Sequence, residues 1–298
     1  MILNASGCLD ALEAPGVTRT LDVFVTKTVT PLPRRGNAPV RIAEADCGML
    51  NSIGLANPGI DAFVNSTLPR LATLDVPVWV SVGGFSADDY ALLCRKLDGL
   101  PDVAAIELNV SCPNVASPAE ATEEIVAASR EATTKRLYTK LSPAVGEIAA
   151  AAEAAAAAGS DGLSLVNTLR GLVLEAGTLR PVLSTACGGL SGPALRPVAL
   201  AAVYACYRAT GLPIVAMGGV ETGRHAVEFL AAGASAVALG TILFRDPGAA
   251  VRVRRELEQE ARSLGYANPG GVRGVAHDST GLESLPSWTK TPAKLAQS

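Results

Sequence analysis

The sequence is poor in aromatic residues, which make up 4% of its 298 positions, and it has only two histidines, His225 and His277. A core without many rings must be built from Ala, Val, Leu and Ile, the composition of helices packed on parallel strands. Two histidines argue against a His-based metal site, and none is expected. The six cysteines (8, 47, 94, 112, 187 and 206) include no Cys-x-x-Cys pair, so an iron–sulfur or zinc site within the chain is not expected either. Their spread suits reduced cytosolic thiols. No apolar run reaches the roughly 18 residues that span a bilayer, and the start shows no signal-peptide pattern. The net charge of −3 carries no long block of one sign, so neither a nucleic-acid surface nor a polybasic membrane patch is expected. No Gly-x-Gly-x-x-Gly turn after an early strand supports a Rossmann site.

What remains is a chain that is 49% hydrophobic and organised as alternating short β-rich runs and helical stretches. The runs are 2–6, 23–27, 78–82, 105–110, 137–141, 162–167, 213–217 and 236–240. Helix-like stretches include 86–97, 119–133, 146–158, 194–210 and 222–232. Eight strands alternating with helices predict a (β/α)8 barrel of class α/β, with a doubly wound open sheet as the alternative. Polar residues or glycines collect at the C-terminal ends of the runs: Ser6, Lys27, Ser81, Asn109, Lys140, Asn167, Gly218-Gly219 and Gly240-Thr241. In a barrel those ends converge on one mouth, where active sites are built. Two stretches rich in Gly and Pro, 28–60 and 169–193, are too long for plain connectors and read as mouth loops. The tail from about 265 reads as a helix end and a loose terminus.

Glycines after the last two strands let backbone N–H groups approach an anion, the place where barrels commonly hold a phosphate. Asn109-Val110-Ser111-Cys112-Pro113-Asn114 follows the fourth run. Its two asparagines offer both donors and acceptors, which suits a planar amide-rich ligand such as a pyrimidine. Cys112 at a strand end is open to three readings: nucleophile, base or packed small hydrophobe. The loop Met49 to Gly59 mixes amides, glycines and apolar residues, and by itself fits an ordinary structured loop as well as a site.

Taken together and in order, these motifs resemble class 1 dihydroorotate dehydrogenases. They are Thr26-Lys27-Thr28, Arg35-Gly36-Asn37, Asn51-Ser52-Ile53-Gly54-Leu55, the Cys112 stretch, Lys140-Leu141-Ser142-Pro143, Asn167-Thr168, Gly188-Gly189-Leu190-Ser191-Gly192, Met217-Gly218-Gly219 and Leu239-Gly240-Thr241. The resemblance covers about residues 4–245. It implies one FMN-binding TIM-barrel domain over 1–298, in the cytoplasm, and a homodimer by default. It places FMN against Ala5, Ser6, Lys27, Thr28, Ser81, Asn109, Lys140, Val166, Gly192, Gly218, Gly219, Gly240 and Thr241. It places the substrate against Lys27, Asn51, Ser52, Ile53, Gly54, Leu55, Asn109, Asn114, Asn167 and Thr168.

The implied reaction oxidises (S)-dihydroorotate to orotate in pyrimidine (UMP) biosynthesis. A proton passes to Cys112 and a hydride to FMN, and Lys140 stabilises the reduced flavin. Class 2 enzymes carry Ser at the Cys112 position and an extra N-terminal segment. Relatives also carry an N-terminal β-hairpin before the first barrel strand, whereas this chain starts almost at that strand. The loop after Val115 is shorter than in either class 1 subclass. Ser81 and Glu221-Thr222-Gly223 are similar to the fumarate-linked subclass, whereas Leu190-Ser191-Gly192-Pro193 is similar to the NAD-linked one, whose partner subunit carries FAD and an iron–sulfur cluster. The expectation leans to fumarate. A dihydropyrimidine dehydrogenase and a non-catalytic flavin-binding barrel are the alternatives.

Overall fold

The computed structural model describes residues 1–110, 118–144 and 147–278. Twelve strands occur in chain order: β1 (Ile2–Asn4), β2 (Phe24–Val25), β3 (Ile42–Ala45), β4 (Gly48–Asn51), β5 (Val78–Val82), β6 (Val103–Asn109), β7 (Arg136–Leu141), β8 (Gly162–Leu165), β9 (Leu169–Leu172), β10 (Cys187–Ser191), β11 (Ile214–Met217) and β12 (Ala236–Leu239). Eight of them form one parallel sheet in the order β1-β12-β11-β8-β7-β6-β5-β2. The sheet closes where Leu3 bridges to Val23 in parallel. The runs expected from the sequence coincide with these eight strands, and closure decides for the barrel over the open sheet.

The seam between β1 and β2 is completed by a side chain. Asn4 donates from Nδ2 to the Val25 carbonyl at 2.8 Å and accepts at Oδ1 from the Val25 N–H at 2.8 Å. A buried amide thereby does the work of a ladder rung. Replacing it with Ala would strand two backbone groups at a cost of about 1–3 kcal/mol each. On the other flank of the seam, Asp22 Oδ2 accepts from the Ile2 N–H at 2.7 Å and Oδ1 accepts from Arg254 at 2.9 Å. Desolvation pushes the Asp22 carboxyl up, but the Ile2 N–H and the Arg254 guanidinium overcome it and hold it below the usual carboxylate range. A carboxyl whose folded pKa is depressed contributes stability above its unfolded pKa and loses it as pH falls through the folded value. Acid titration of thermal stability is therefore expected to show a loss beginning below about pH 4 that is smaller in Asp22→Asn. Equal acid sensitivity in the two proteins would contradict this.

The helices between the strands are α1 (Ala87–Asp98), α2 (Pro118–Ala132), α3 (Ile148–Ala157), α4 (Arg196–Thr210), α5 (Gly223–Ala231) and α6 (Ala249–Ser263), with shorter turns elsewhere. Their local causes are plain in α1. Ser86 caps it by accepting from the Asp89 N–H, acidic Asp88 and Asp89 occupy the first turn, and Arg95 and Lys96 the last, which matches the helix dipole. Tyr90, Leu93, Cys94 and Leu97 recur at helical spacing and are buried. No helix among the described residues is long and apolar enough to cross a membrane.

Alternation along each strand sorts the barrel into two compartments. Val78, Val80, Val82, Ile106, Leu108, Leu137, Leu163 and Leu165 belong to the large core under the helices. Leu3, Val25, Trp79, Ala105, Tyr138, Val215 and Met217 form a second cluster inside the barrel. Trp79 and Tyr138 fill its floor, with ring centroids 4.2 Å apart.

Two sequence expectations are corrected here. Stretches 28–60 and 169–193, read as loops, contribute an antiparallel sheet in the order β3-β4-β10-β9, with its own small core of Ala43, Leu50 and Leu183. Each strand is only four or five residues long, and glycines in β4, β9 and β10 mask a β pattern. The tail is also not loose over 265–278. Val272 is buried, and His277 stacks on Tyr204 with centroids 4.1 Å apart. The sequence shows no periodicity there because single-turn 3-10 segments carry the contacts.

Candidate active site

The same alternation that sets Trp79, Ala105 and Tyr138 on the barrel floor sets Ser81, Glu107, Asn109 and Lys140 above them. Two residues on along a strand is the same face, one layer nearer the mouth. Registry then fixes their neighbours: Ser81 pairs with Glu107, Asn109 with Lys140 and Lys140 with Ser164.

A hydrogen-bonded row crosses the mouth. Ser81 Oγ and Thr28 Oγ1 are 3.1 Å apart, and Asn109 donates from Nδ2 to Thr28 Oγ1 at 3.1 Å. Asn167 donates from Nδ2 to Asn109 Oδ1 at 3.1 Å and accepts at Oδ1 from the Thr168 N–H at 2.8 Å. The Asn109 carbonyl is held in turn by the Tyr90 hydroxyl at 2.6 Å. These bonds fix which face of each amide looks into the barrel. Thr168 rests against β10: a Cβ on Gly189 would lie 2.0 Å from Thr168 Oγ1, so only Gly permits that approach. Asn51 closes the row from β4 by donating to the Gly189 carbonyl at 3.5 Å. Five strands thus deliver amides and hydroxyls to one rim.

Lys140 and Lys27 supply positive charge at this level. Lys140 Nζ donates to Ser6 Oγ at 2.8 Å and lies 3.8 Å from Glu107 Oε1, with the Lys140 and Glu107 side chains both buried. Lys27 is held against Gly7, whose added Cβ would meet its side chain at 2.9 Å. Burial, and then the Lys140 charge, hold the Lys27 ammonium below the usual lysine range. Burial pushes the nearby Cys8 thiol up, against the pull of both lysines. Cys8 therefore stays a neutral neighbour.

The glycine turns gather on the opposite side of the mouth. Gly219 has φ +71, and a Cβ there would lie 2.8 Å from the Gly192 carbonyl and 2.9 Å from Arg196 Cβ. Bare backbone from the turn after β11 therefore packs against bare backbone from the end of β10, with Gly218 alongside at φ +120. Gly240, after β12, comes near Ala5 and Cys8: its added Cβ would lie 3.8 Å from Ala5 Cβ and 3.7 Å from Cys8 Sγ. The Val166 N–H donates to the Met217 carbonyl at 3.1 Å, one residue before Gly218. Gly240 and Thr241 lead into the short helix Ile242–Arg245.

The structure therefore brings together Ala5, Ser6, Lys27, Thr28, Ser81, Asn109, Lys140, Asn167, Thr168 and Asn51, with the glycine turns beside them. Ser52 lies just outside this group, accepting from Asn37 at 2.8 Å and from Thr185 at 2.6 Å. Ile53, Gly54 and Leu55 are bound elsewhere: their carbonyls accept from Asn37, Arg34 and Asn57 respectively. Cys112 and Asn114 lie outside the described residues. Sequence reasoning missed Glu107. The signal was there, since a charge at the inward parity of an otherwise apolar strand, two residues before Asn109, is costly unless it is answered. Of the residues read as marks of the fumarate-linked subclass, Thr222 has a local role, capping α5 by accepting from the His225 N–H at 3.2 Å.

A model of the dihydroorotate dehydrogenase family matches residues 1–261. Among curated relatives, the "Dihydroorotate dehydrogenase B (NAD(+)), catalytic subunit" of Desulforudis audaxviator is 47% identical over 290 residues, covering 94% of each chain. The proteins of the same name from Geobacter sulfurreducens and Bacillus cereus are 44% and 40% identical, covering 83% and 94% of this chain and 84% and 94% of their own. These names are NAD-linked, against the leaning to fumarate drawn from Ser81 and Glu221-Thr222-Gly223. A crystal structure of DHODH in complex with ferulenol from Eimeria tenella matches at a TM-score of 0.78 and 24% identity. It covers 93% of this chain and 85% of that one, a likeness of fold.

Proposed function

The chain belongs to the dihydroorotate dehydrogenase family, and from that premise we propose that it oxidises (S)-dihydroorotate to orotate, with FMN as cofactor, as the catalytic subunit of an NAD-linked enzyme. The observation that carries this reading is the pairing, across one barrel mouth, of two lysines, Lys140 buried and Lys27 half-buried, with a fixed row of asparagines. An anionic, amide-rich ring needs both.

The residues present fit FMN. The backbone cradle at Gly192, Gly218 and Gly219, which a Cβ would fill, suits a phosphate, together with Gly240 and Thr241. Ala5, Ser6, Thr28, Ser81 and Val166 would line the flavin, with Lys27, Asn109 and Lys140 at its polar edge. When bound, FMN supplies the two-electron acceptor that takes up the hydride from substrate C6.

The chain's own residues do the rest. Lys27 offsets the substrate carboxylate. Asn51, Asn109 and Asn167, with Asn114 from the segment after β6, orient the pyrimidine ring by its donors and acceptors. Ser52 and Thr168 support that edge, and Ile53, Gly54 and Leu55 close the loop behind it. Cys112 takes the proton from C5. Lys140 places a positive charge where negative charge develops.

The chain acts as a single domain over 1–298, in the cytoplasm, and as a homodimer. Electrons leave through a separate subunit bearing FAD and an iron–sulfur cluster. Purified with that subunit, the chain is expected to reduce NAD with dihydroorotate; alone, it is not. Fumarate reduction by the chain alone at a comparable rate would overturn the assignment of acceptor. Turnover of dihydrouracil in preference to dihydroorotate would overturn the assignment of substrate.

A further inference from the structure

Glu107 sits in the middle of β6, one layer below Asn109, with a side chain 1% exposed. A lone carboxylate there would be strongly disfavoured. Its Oε1 is 3.8 Å from Lys140 Nζ, within ion-pair range and beyond hydrogen-bonding range. Among the described residues, no hydrogen bond reaches that oxygen. Lys140 spends its short contact on Ser6 Oγ, 2.8 Å away on the mouth side. The ammonium is therefore suspended between a hydroxyl from the end of β1 and a carboxylate from β6. Its charge is answered at a distance, so Nζ keeps donors to spare.

The charges around it make the carboxylate necessary. Burial, and after it repulsion from Lys140, hold the Lys27 ammonium down. The Cys8 thiol between them is kept neutral by burial and offers no counter-charge. Ser164, opposite Lys140 on β8, is buried with its hydroxyl unpartnered and brings no charge either. Among the described residues, Glu107 is the acid in ion-pair range of Lys140.

We infer that Glu107 is a positioning residue for the reaction: its buried carboxylate, 3.8 Å from Lys140 Nζ, keeps the Lys140 ammonium set toward the barrel mouth. Glu107 touches neither substrate nor flavin in this account and acts through Lys140. The catalytic part of the inference rests on the function proposed above; the ion pair rests on geometry alone.

The test is a double-mutant cycle on the FMN-loaded chain with Glu107→Gln, Lys140→Met and the double variant, plus Glu107→Asp. Glu107→Gln is expected to slow flavin reduction at saturating dihydroorotate about tenfold, with little change in the half-saturating concentration. In the Lys140→Met background the same change should alter the rate by less than about twofold. Glu107→Asp, which keeps the charge, should recover most of the loss. Thermal melting without substrate reads the pair independently. The melting losses of Glu107→Gln and Lys140→Met should sum to more than the loss of the double variant, because each single change leaves a lone buried charge and the double change leaves none. If Glu107→Gln does not accumulate folded, a folded double variant carries the same conclusion. Equal slowing in both backgrounds, or melting losses that add, would overturn the inference. A wild type that dihydroorotate cannot reduce would sink the proposed function instead, while the melting cycle would still report on the pair.

Discussion

Replacing Lys140 with Met slows reduction of the bound flavin by dihydroorotate about 10²- to 10³-fold, the usual cost of removing one preorganised group from developing charge. Two features set this expectation. Lys140 projects inward from β7, opposite Asn109, so it lies beside the row of asparagines proposed to hold the substrate. It is also buried, so its charge acts through little water and is worth more than at a surface. The rate should be measured by stopped-flow absorbance, scaled to flavin content, so that loss of FMN is not counted as loss of chemistry. A variant within about threefold of wild type, a loss far below the range for such groups, would remove Lys140 from the mechanism.

The second large effect belongs to Cys112. A positioned general base contributes about 10²- to 10⁴-fold, so Cys112→Ala should lose flavin reduction on that scale while still binding orotate. A free thiol has a pKa of about 8.5, and in the proposed mechanism its thiolate is the base. The wild-type rate should therefore rise with pH through the range where the thiol ionises and level off above it. The Cys112→Ala residual rate should show no such rise. Should the variant keep the wild-type pH profile, the proton must go elsewhere.

Much of this site was legible in the sequence, for a physical reason. Barrel strands buried on both faces read as aliphatic runs, so Ser81, Asn109 and Lys140 stood out as polar interruptions at their C-terminal ends. Topology then guaranteed that such ends share a mouth. Glu107 obeys the same logic one layer deeper, but it lies mid-strand, where the search for polar strand ends does not reach. The small sheet of β3, β4, β9 and β10 escaped notice because its strands are short and glycine-rich. Gly189 shows why: its value lies in letting Thr168 approach, which is a tertiary requirement with no local signature. Asn4 is a similar case. Inside a strand it is an unremarkable polar residue, and only the closed barrel gives its side chain Val25 as a partner. The local marks of the electron acceptor were divided: Leu190-Ser191-Gly192-Pro193 pointed to the NAD-linked subclass that the relatives share, whereas Ser81 and Glu221-Thr222-Gly223 pointed to fumarate. Ser81 bonds to Thr28 in the mouth and Thr222 caps a helix, and neither task depends on where the electrons go next.

The most direct test of the central claim is the visible spectrum of the purified chain, recorded without oxygen before and after dihydroorotate is added. The account predicts a yellow protein with the absorbance of bound FMN that bleaches on addition. A colourless chain that takes up no FMN, or an FMN-loaded chain whose spectrum dihydroorotate leaves unchanged, would contradict it.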